Sequence, residues 1–452
     1  MKATATATVR LDLDGIQGLV LRGYRMPVAE YVFVHFGDAS AARAWCGRLA
    51  GQVTTASPWQ AKPDTALNVA FSAAGLRALE LPERLLGTFP EAFLEGMAAR
   101  AAQLGDDGAS APENWGDGLG TDRVHALLLL SALEPAQLTA DSARLDAELA
   151  EAGATVVSRQ SAAALPGGVE HFGYFDGLSQ PDVEGLEVKP RTEQGAMAGR
   201  GQWRPVRAGE FVLGYPDEEG VLPAAPAMDE LARNGSYLVY RKLRQDVATF
   251  RALLTEAARW CADDEELLAA KLVGRWRDGT PLDTSPERAD PALAADPHRN
   301  NAFTFAEDPR GYRCPVGAHI RRANPRASLP FDGKLVNRHR MVRRGLPYGP
   351  PLPPGAPDDG VDRGLVFTSL QADLERQFEF VQAEWLNDGN AFGLGDDKDV
   401  LLGSHNGGGK MTVNGAPPFF VHPLARTVTV SGGEYFFLPG VNGLRYLAEF
   451  AN

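Results

Sequence analysis

The order of predicted strands and helices in residues 30–159 is the feature that most limits how this chain can fold. Residues 30–37 read EYVFVHFG, an aromatic and β-branched run that ends at a glycine, which is typical of a strand. Apolar side chains spaced by three or four then predict a helix over residues 39–50. Similar patterns predict strands over residues 66–72, 123–133 and 154–159, and a helix over residues 137–152. The order β-α-β-β-α-β is the ferredoxin-like split motif.

A second series of strands and helices follows in the C-terminal part of the chain. We predict strands over residues 210–215, 236–241 and 364–370, helices over residues 245–261, 264–273 and 373–386, and a closing hairpin of residues 427–430 and 434–438 around Ser431-Gly432-Gly433. This pattern indicates a second ferredoxin-like half with long insertions. The predicted organisation is an N-terminal half over residues 9–181, a connection over residues 182–208, and a C-terminal half over residues 209–452.

The composition is ordinary for a globular protein and excludes several classes of function. Of the 452 residues, 44% are hydrophobic and 23% are charged. The formal net charge of −13 argues against a nucleic-acid partner. No apolar run approaches the ~18 residues that a membrane span needs, so no membrane association is expected.

Cysteine use and the first residues indicate the compartment. The three cysteines, Cys46, Cys261 and Cys314, are widely spaced and odd in number, which predicts no disulfide framework and no zinc site. Residues 1–8 are polar and contain neither an apolar core nor a twin arginine, so we expect no export signal. The predicted location is therefore the cytoplasm.

A histidine between small residues and a basic run is the first candidate functional group. Residues 311–326 read GYRCPVGAHIRRANPR, which places His319 after a glycine and an alanine and before two arginines. Small neighbours allow a flat cofactor to come close to the imidazole. The alternative is an ordinary core or surface histidine beside a solvated basic turn, and this stretch alone does not separate the two.

Two further stretches supply a carboxylate and an arginine cluster. Residues 171–181 read HFGYFDGLSQP, and residues 338–350 read RHRMVRRGLPYGP. With the histidine stretch, they resemble the dye-decolourising peroxidase family of haem proteins. The family's G-x-x-D-G hallmark is matched at residues 173–177, its C-P-x-G-A-H-x-R-x-x-N-P-R stretch around His319, and its arginine before G-x-P-[YF]-G at Arg343. The resemblance covers the chain from about Asp14 to the C-terminus.

The resemblance implies an α+β fold in which two ferredoxin-like halves form a dimeric α/β-barrel-type haem peroxidase fold; the oligomeric state is left open. It also implies haem b as the cofactor, and a reaction that reduces hydrogen peroxide and oxidises dyes and small aromatic or phenolic compounds. One alternative is a protein that binds or traffics haem, with incidental peroxidase activity. Another is a haem-free binding module. The pair Asp176 and Arg343 favours the peroxidase, because a pure haem binder needs only His319.

On the side of the iron ligand, the resemblance assigns two residues. His319 is expected to bind the iron, since histidine is the usual protein ligand in peroxidases. Asp399 lies after WLNDGN and before VLLG and so resembles the family's aspartate that accepts the other imidazole N–H. Asp388, Asp396 and Asp397 compete for this role, and all four aspartates are alternatively ordinary loop acids.

On the peroxide side, the resemblance assigns Asp176 and Arg343 as catalytic residues. Asp176 is expected to carry a proton between the two peroxide oxygens, although an Asp-Gly pair often only builds a tight turn. Arg343 is expected to stabilise negative charge on the departing oxygen. Arg338 is predicted to bind the cofactor. The arginines that compete for these roles or for the haem propionates are Arg321, Arg326, Arg340 and Arg344.

Bulky reductants that cannot reach a buried haem would require electrons to travel through aromatic side chains at the surface. The candidates for this path are Tyr215, Tyr348 and Trp385. The alternative is that these three residues belong to the core, which is the more frequent role of large aromatic side chains.

Overall fold

The computed structural model describes residues 9–186, 195–199, 202–405, 407–415 and 417–450. In the N-terminal half, the strands are β1 (Val28–Phe36), β2 (Thr65–Phe71), β3 (Ala126–Ala132) and β4 (Ala154–Ala163). The helices are α1 (Gly18–Leu21), α2 (Ala39–Leu49), α3 (Ala73–Ala78), α4 (Glu83–Leu86), α5 (Glu91–Glu95), α6 (Ala101–Leu104) and α7 (Pro135–Glu151), with short 3₁₀ turns at Gly108–Ser110, Pro112–Asn114 and Pro166–Gly168.

The C-terminal part begins with two short strands, β5 (Ala196–Gly199) and β6 (Gln202–Arg204). The later strands are β7 (Ser236–Gln245), β8 (Val342–Arg343), β9 (Leu346–Tyr348), β10 (Gly364–Gln371), β11 (Gly409–Val413), β12 (Phe419–Leu424) and β13 (Val428–Leu438). The helices are α8 (Asp229–Ala232), α9 (Val247–Ala258), α10 (Glu265–Val273), α11 (Pro291–Ala295), α12 (His319–Ala323) and α13 (Val441–Glu449). Further 3₁₀ turns lie at Ala208–Glu210, Arg326–Ser328 and Phe331–His339, and two consecutive π-helical segments span Leu374–Glu379 and Val381–Asn387.

The central sheet joins both halves. Its strands follow the order β4-β1-β3-β2-β13-β7-β10-β8, and β9 pairs with β10. Each half contributes four strands in the ferredoxin-like order, in which the fourth strand lies outside the first and the third separates the first from the second. The halves meet where β2 pairs with β13 at Phe71 and Phe437. The sequence-based prediction of an α+β fold with two ferredoxin-like halves is therefore confirmed.

Local sequence explains the helices that cover the N-terminal half of the sheet. Asp38 caps α2 by accepting a hydrogen bond from the Ala41 N–H, and α7 begins with Pro135, a residue suited to the first helical turn. Helix α2 buries one apolar stripe that includes Trp45 and Leu49, and α7 buries Leu145 and Leu149. This burial anchors both helices on the sheet.

The predicted strand over residues 210–215 is wrong. The chain instead turns there, because Phe211 and Val212 donate their N–H groups to the Ala208 carbonyl. Leu213 donates to the Gly235 carbonyl, and Gly214 adopts a positive φ of 85°. The apolar run is buried as a turn, and the first long strand of this half is β7.

The predicted hairpin around Ser431-Gly432-Gly433 is also wrong. Residues 428–438 form one strand, β13, whose pairing with β7 shifts between Val430 and Gly432. A Cβ on Gly432 would lie 2.6 Å from the Leu119 side chain, and Ser431 accepts a hydrogen bond from the Gly116 N–H. The glycines therefore lie in a β-bulge and not in a turn, and the loop at residues 116–119 packs against this bulge.

Candidate active site

A cavity of about 340 Å³ lies beside the C-terminal strands of the sheet, and residues 105–110 and 170–179 complete its lining. Its volume is within the range of small-molecule and cofactor sites. Residues of the sheet line one part of it, and residues of α12, the π-helical segments and the following loop line another. Most of this lining is apolar. It includes Leu243 of β7, Leu365 and Phe367 of β10, Val428 and Val430 of β13, Ile320 of α12, and Leu386, Leu401 and Leu402.

His319 lines this cavity from the start of α12. The loop before it is held by Asp308, whose carboxylate accepts the N–H groups of Tyr312, Arg313 and Cys314 at 2.8–3.0 Å. After it, Arg322 donates to the carbonyls of Trp385, Asp397 and Asp388, which ties α12 to the neighbouring helix and loop. The histidine thus stands on a short helix that is fixed on both sides.

Asp399 determines which nitrogen of His319 is available to a metal. The imidazole Nδ1 lies 3.0 Å and 3.1 Å from the two carboxylate oxygens, so we assign the proton to Nδ1 and the lone pair to Nε2. The buried carboxylate also accepts the N–H groups of Leu401 and Leu402 at 3.0 Å and 2.8 Å. Burial opposes protonation of His319, but the charge of Asp399 and its hydrogen bond to the ring together raise the pKa of the imidazole.

Among the four aspartates considered from sequence, Asp399 is the one bonded to His319. Asp397 instead pairs with Lys410 and accepts the Thr412 N–H at 2.6 Å. Asp388 caps the local turn by accepting the Asn390 N–H at 2.8 Å. The structure thus brings together His319 and Asp399, which lie far apart in the sequence.

Asp176 lines the same cavity from a tight hairpin at residues 168–176. The Asp176 N–H donates to the Gly168 carbonyl, and the carboxylate accepts the N–H of Gly177 at 2.6 Å. Glu170 closes the hairpin by accepting the N–H groups of Phe172 and Tyr174 at 2.9 Å and 3.0 Å. The Asp-Gly pair therefore builds a turn and also presents its carboxylate to the cavity.

Arg343, on β8, also lines the cavity. Its Nη2 donates to the carbonyls of Leu178 and Ser179 at 3.2 Å and 3.3 Å, in the segment that follows Asp176. Burial lowers the pKa of Arg343, and the Asp176 carboxylate opposes that shift by favouring the charged guanidinium. The cavity therefore combines an imidazole, a carboxylate and a guanidinium.

One protein family matches most of this chain. Residues 15–164 match the model of the DyP dimeric alpha+beta barrel domain, and residues 217–396 match that of the Dyp-type peroxidase C-terminal domain. The dye-decolorizing peroxidase msp1 of Mycetinis scorodonius is 31% identical over 98% of this chain and 89% of its own length. The chain belongs to the dye-decolourising peroxidase family.

Solved structures of family members agree with this assignment. The structure of an ancestral D-type dye decolorizing peroxidase superposes with a TM-score of 0.83 at 31% identity, covering 98% of this chain and 100% of that one. A dye-decolorizing peroxidase in complex with 2,6-dimethoxyphenol gives a TM-score of 0.81 at 29% identity, covering 97% and 100%. Proteins named deferrochelatase, such as that of Yersinia pestis, match only 19% of this chain. The prediction of the family is confirmed, and the peroxidase is favoured over the haem-trafficking alternative.

The arginines around the cavity match the sequence-based candidates only in part, since Arg343 lines it and Arg338 does not. Arg338 lies outside it, on the wall of a separate depression, where it pairs with Glu219 at 2.7 Å. Arg326 and Arg340 line the cavity. Arg275 also lines it, and sequence analysis missed this residue because nothing in its local sequence marks it.

Arg275 and Arg326 form a buried cationic pair that shares one acceptor, the Asn301 side-chain oxygen, at 2.7 Å and 2.9 Å. Their other acceptors are backbone carbonyls and the Ser179 hydroxyl, and no carboxylate of the described residues forms an ion pair with either guanidinium. Burial lowers the pKa of Arg275 to about 10. Burial, and then the charges of Arg275 and Arg340, lower that of Arg326. Two buried cations without an acidic partner create a wall that favours an anionic ligand.

These residues fit the haem that the family implies. The Nε2 of His319 suits iron, the apolar lining suits a porphyrin, and the buried guanidiniums suit carboxylate groups. The three aromatic residues considered as surface electron carriers do not lie at the surface, because Tyr215, Tyr348 and Trp385 are each at most 5% exposed. In the described part of the chain, no helix is long and apolar enough to cross a membrane.

Proposed function

We propose that this protein is a haem b peroxidase that reduces hydrogen peroxide and oxidises dyes and small phenolic compounds. The observation that carries the proposal is that one cavity is lined by His319, Asp176 and Arg343, with Asp399 bonded to the histidine. Haem, when bound, supplies the iron at which peroxide is reduced. A related peroxidase that binds 2,6-dimethoxyphenol supports phenols as reductants.

Four residues would hold the cofactor. His319 would bind the iron through Nε2, while the Asp399 carboxylate keeps the imidazole oriented and electron-rich. Arg275 and Arg326 would take the propionate carboxylates, since both are buried, lie on the cavity wall and pair with no carboxylate of the described residues. Arg338, which pairs with Glu219 elsewhere, is no longer part of the proposed cofactor site.

The residues on the peroxide side move a proton and stabilise charge. The Asp176 carboxylate can take a proton from one peroxide oxygen and return it to the other. Arg343 keeps a positive charge fixed where negative charge develops on the departing oxygen. The electrostatic coupling between the two side chains supports their joint action in one space.

The domain boundaries and the compartment complete the proposal. We retain residues 9–181 and 209–452 as the two halves, and residues 182–208 as their connection. A reducing compartment such as the cytoplasm is supported by Cys46, Cys261 and Cys314, which are all buried and unpaired.

The proposal is tested by stopped-flow mixing of the haem-loaded protein with hydrogen peroxide, followed by turnover of 2,6-dimethoxyphenol and a dye. We expect Arg343→Leu to lower the rate constant for peroxide by ~10²–10³, the typical effect of losing one such donor, while haem binding survives. Arg338→Leu is the matched control, because that arginine lies outside the cavity. Equal rates in both variants would contradict the role of Arg343.

Asp176→Asn keeps the size and hydrogen bonding of the side chain but removes its ability to take up a proton. It is expected to slow the reaction with peroxide and to leave the resting optical spectrum nearly unchanged. If this variant reacts with peroxide as fast as the unmodified protein at every pH, Asp176 only shapes the cavity, and Arg343 carries the chemistry.

A further inference from the structure

The strand that carries Arg343 lies at one edge of the sheet. Strand β8 is the last in the sheet and pairs with β10 through Arg343 opposite Ser369. The next residue, Arg344, donates its N–H to the Thr368 carbonyl on β10. Because successive backbone groups in a strand alternate in direction, the N–H and the carbonyl of Arg343 point away from β10. Both groups would lack a strand partner there.

The side chain of Gln180 supplies that partner. Its Oε1 accepts the Arg343 N–H at 3.1 Å, and its Nε2 donates to the Arg343 carbonyl at 3.0 Å. A primary amide is the side chain that offers a donor and an acceptor in the arrangement of a peptide group. Gln180 thus takes the place of one residue of a neighbouring strand.

The same short segment also holds the other end of Arg343. The carbonyls of Leu178 and Ser179 accept hydrogen bonds from the guanidinium, and Ser179 adopts a positive φ of 68°. Asp176 precedes these residues in the chain. Residues 176–180 therefore carry the carboxylate of the site and fix both the backbone and the head group of its arginine.

We propose that Gln180 is a positioning residue that sets the place of Arg343 relative to Asp176. Gln180 is not among the residues that line the cavity, so it acts through Arg343 and not by contact with the occupant. The proposal rests on the function proposed above, because it assumes that the guanidinium acts on peroxide.

The chain offers a matched control for this role. Gln17, in the N-terminal half, holds the backbone of Val69 on β2 in the same way, accepting its N–H at 3.0 Å and donating to its carbonyl at 2.8 Å. Val69 does not line the cavity. Replacing Gln17 therefore removes the same type of hydrogen bonds without touching the site.

The test compares Gln180→Leu, Gln180→Glu and Gln17→Leu as haem-loaded proteins. We expect Gln180→Leu to lower the rate constant for peroxide by roughly ten- to a hundredfold, since an ångström of misplacement can cost ~10²-fold. The affinity for cyanide should fall as well, because the guanidinium of Arg343 would be positioned less precisely beside a bound anion. Gln17→Leu should lower the midpoint of thermal unfolding and leave both quantities unchanged. Gln180→Glu keeps the acceptor but lacks the N–H, so its rate constant should be intermediate, and it also serves if Gln180→Leu does not fold.

The decisive measurement is the double variant Gln180→Leu/Arg343→Leu. If Gln180 acts through Arg343, the double variant reacts with peroxide no more slowly than Arg343→Leu alone. An equal loss from Gln180→Leu on both backgrounds would overturn the inference, as would a normal rate and cyanide affinity in both Gln180 variants. A normal rate in Arg343→Leu would instead overturn the proposed role of Arg343, which separates the two failures.

Discussion

In the N-terminal half, the sheet runs β4-β1-β3-β2, and in the C-terminal half it runs β13-β7-β10-β8, so the two halves share one strand order. The space beside the sheet differs. In the N-terminal half it is filled by a core that includes Trp45, Leu128 and Leu145. In the C-terminal half, Leu365 and Phe367 of β10, the counterpart of β3, line the cavity instead.

The covering segments explain the difference. In the N-terminal half, α2 and α7 bury apolar stripes directly on the sheet. In the C-terminal half, the helix from Leu374 to Asn387 is π-helical, and long insertions supply α12 with His319. The N-terminal strands are therefore covered by a packed core, whereas the C-terminal strands border a cavity that fits a cofactor.

The largest expected effect is that of His319→Ala, in the C-terminal half, whose strands border the cavity. The variant should lose haem content and peroxidase turnover together, because it removes the proposed protein ligand of the iron. The free energy of unfolding of the haem-free form should fall by about 1–3 kcal/mol, because the buried Asp399 carboxylate loses a hydrogen-bond partner. Pyridine haemochrome content and urea unfolding measure the two effects. Full haem loading with normal turnover would mean that another residue is the ligand.

In the packed half, the expected effect is on stability alone. Leu128 on β3 is fully buried, so Leu128→Ala should lower the free energy of unfolding by about 2–5 kcal/mol, as is typical of such truncations. Leu365→Ala on β10 should cost less, because its side chain already borders empty space. Urea unfolding of the haem-free variants measures both. Equal losses of unfolding free energy at Leu128 and Leu365 would contradict the contrast between a packed N-terminal half and a C-terminal half that borders a cavity.

A smaller effect is expected at Asp399. Asp399→Asn removes the charge beside His319 and should weaken haem binding or peroxide reactivity by ~10–100-fold, the usual range for such partners of a metal ligand. Asp397→Asn is the control, because that buried carboxylate pairs with Lys410 and not with His319. Haem transfer to an acceptor protein and stopped-flow kinetics provide the measurements. If the two variants behave alike, Asp399 has only a structural role.

The smallest expected effect is on the pH dependence of stability, at His125 in the N-terminal half. Burial, followed by the neighbouring His35, lowers the pKa of His125 from 6.5 to about 4. A folded pKa below the unfolded value means that the unfolded chain binds more protons between these values. The stability from neutral His125 is therefore present above pH 6.5 and is lost as the pH falls towards 4. The unfolding free energy of His125→Gln should depend less on pH in this window, whereas the exposed His298→Gln should match the unmodified protein.

Much of the fold was predictable because strands and amphipathic helices leave local patterns. The four strands and the two longest helices of the first half were predicted, since their core positions recur with the periods of a strand and a helix. Residues 210–215 and Ser431-Gly432-Gly433 misled the prediction because their local composition matches a strand and a turn. Contacts with Gly235 and with the loop at residues 116–119 determine their actual conformation.

The sequence by itself determined the family, the fold class and the identity of the chemical groups, because its three motifs are local and lie in a fixed order. Only the tertiary structure decided which side chains meet: Asp399 and not Asp397 on His319, Arg275 and Arg326 on the cavity wall, and Arg338 outside it. The physical reason is that these contacts join segments distant in the chain, whose approach depends on the packing of the whole sheet and its covering helices. No local pattern records that packing.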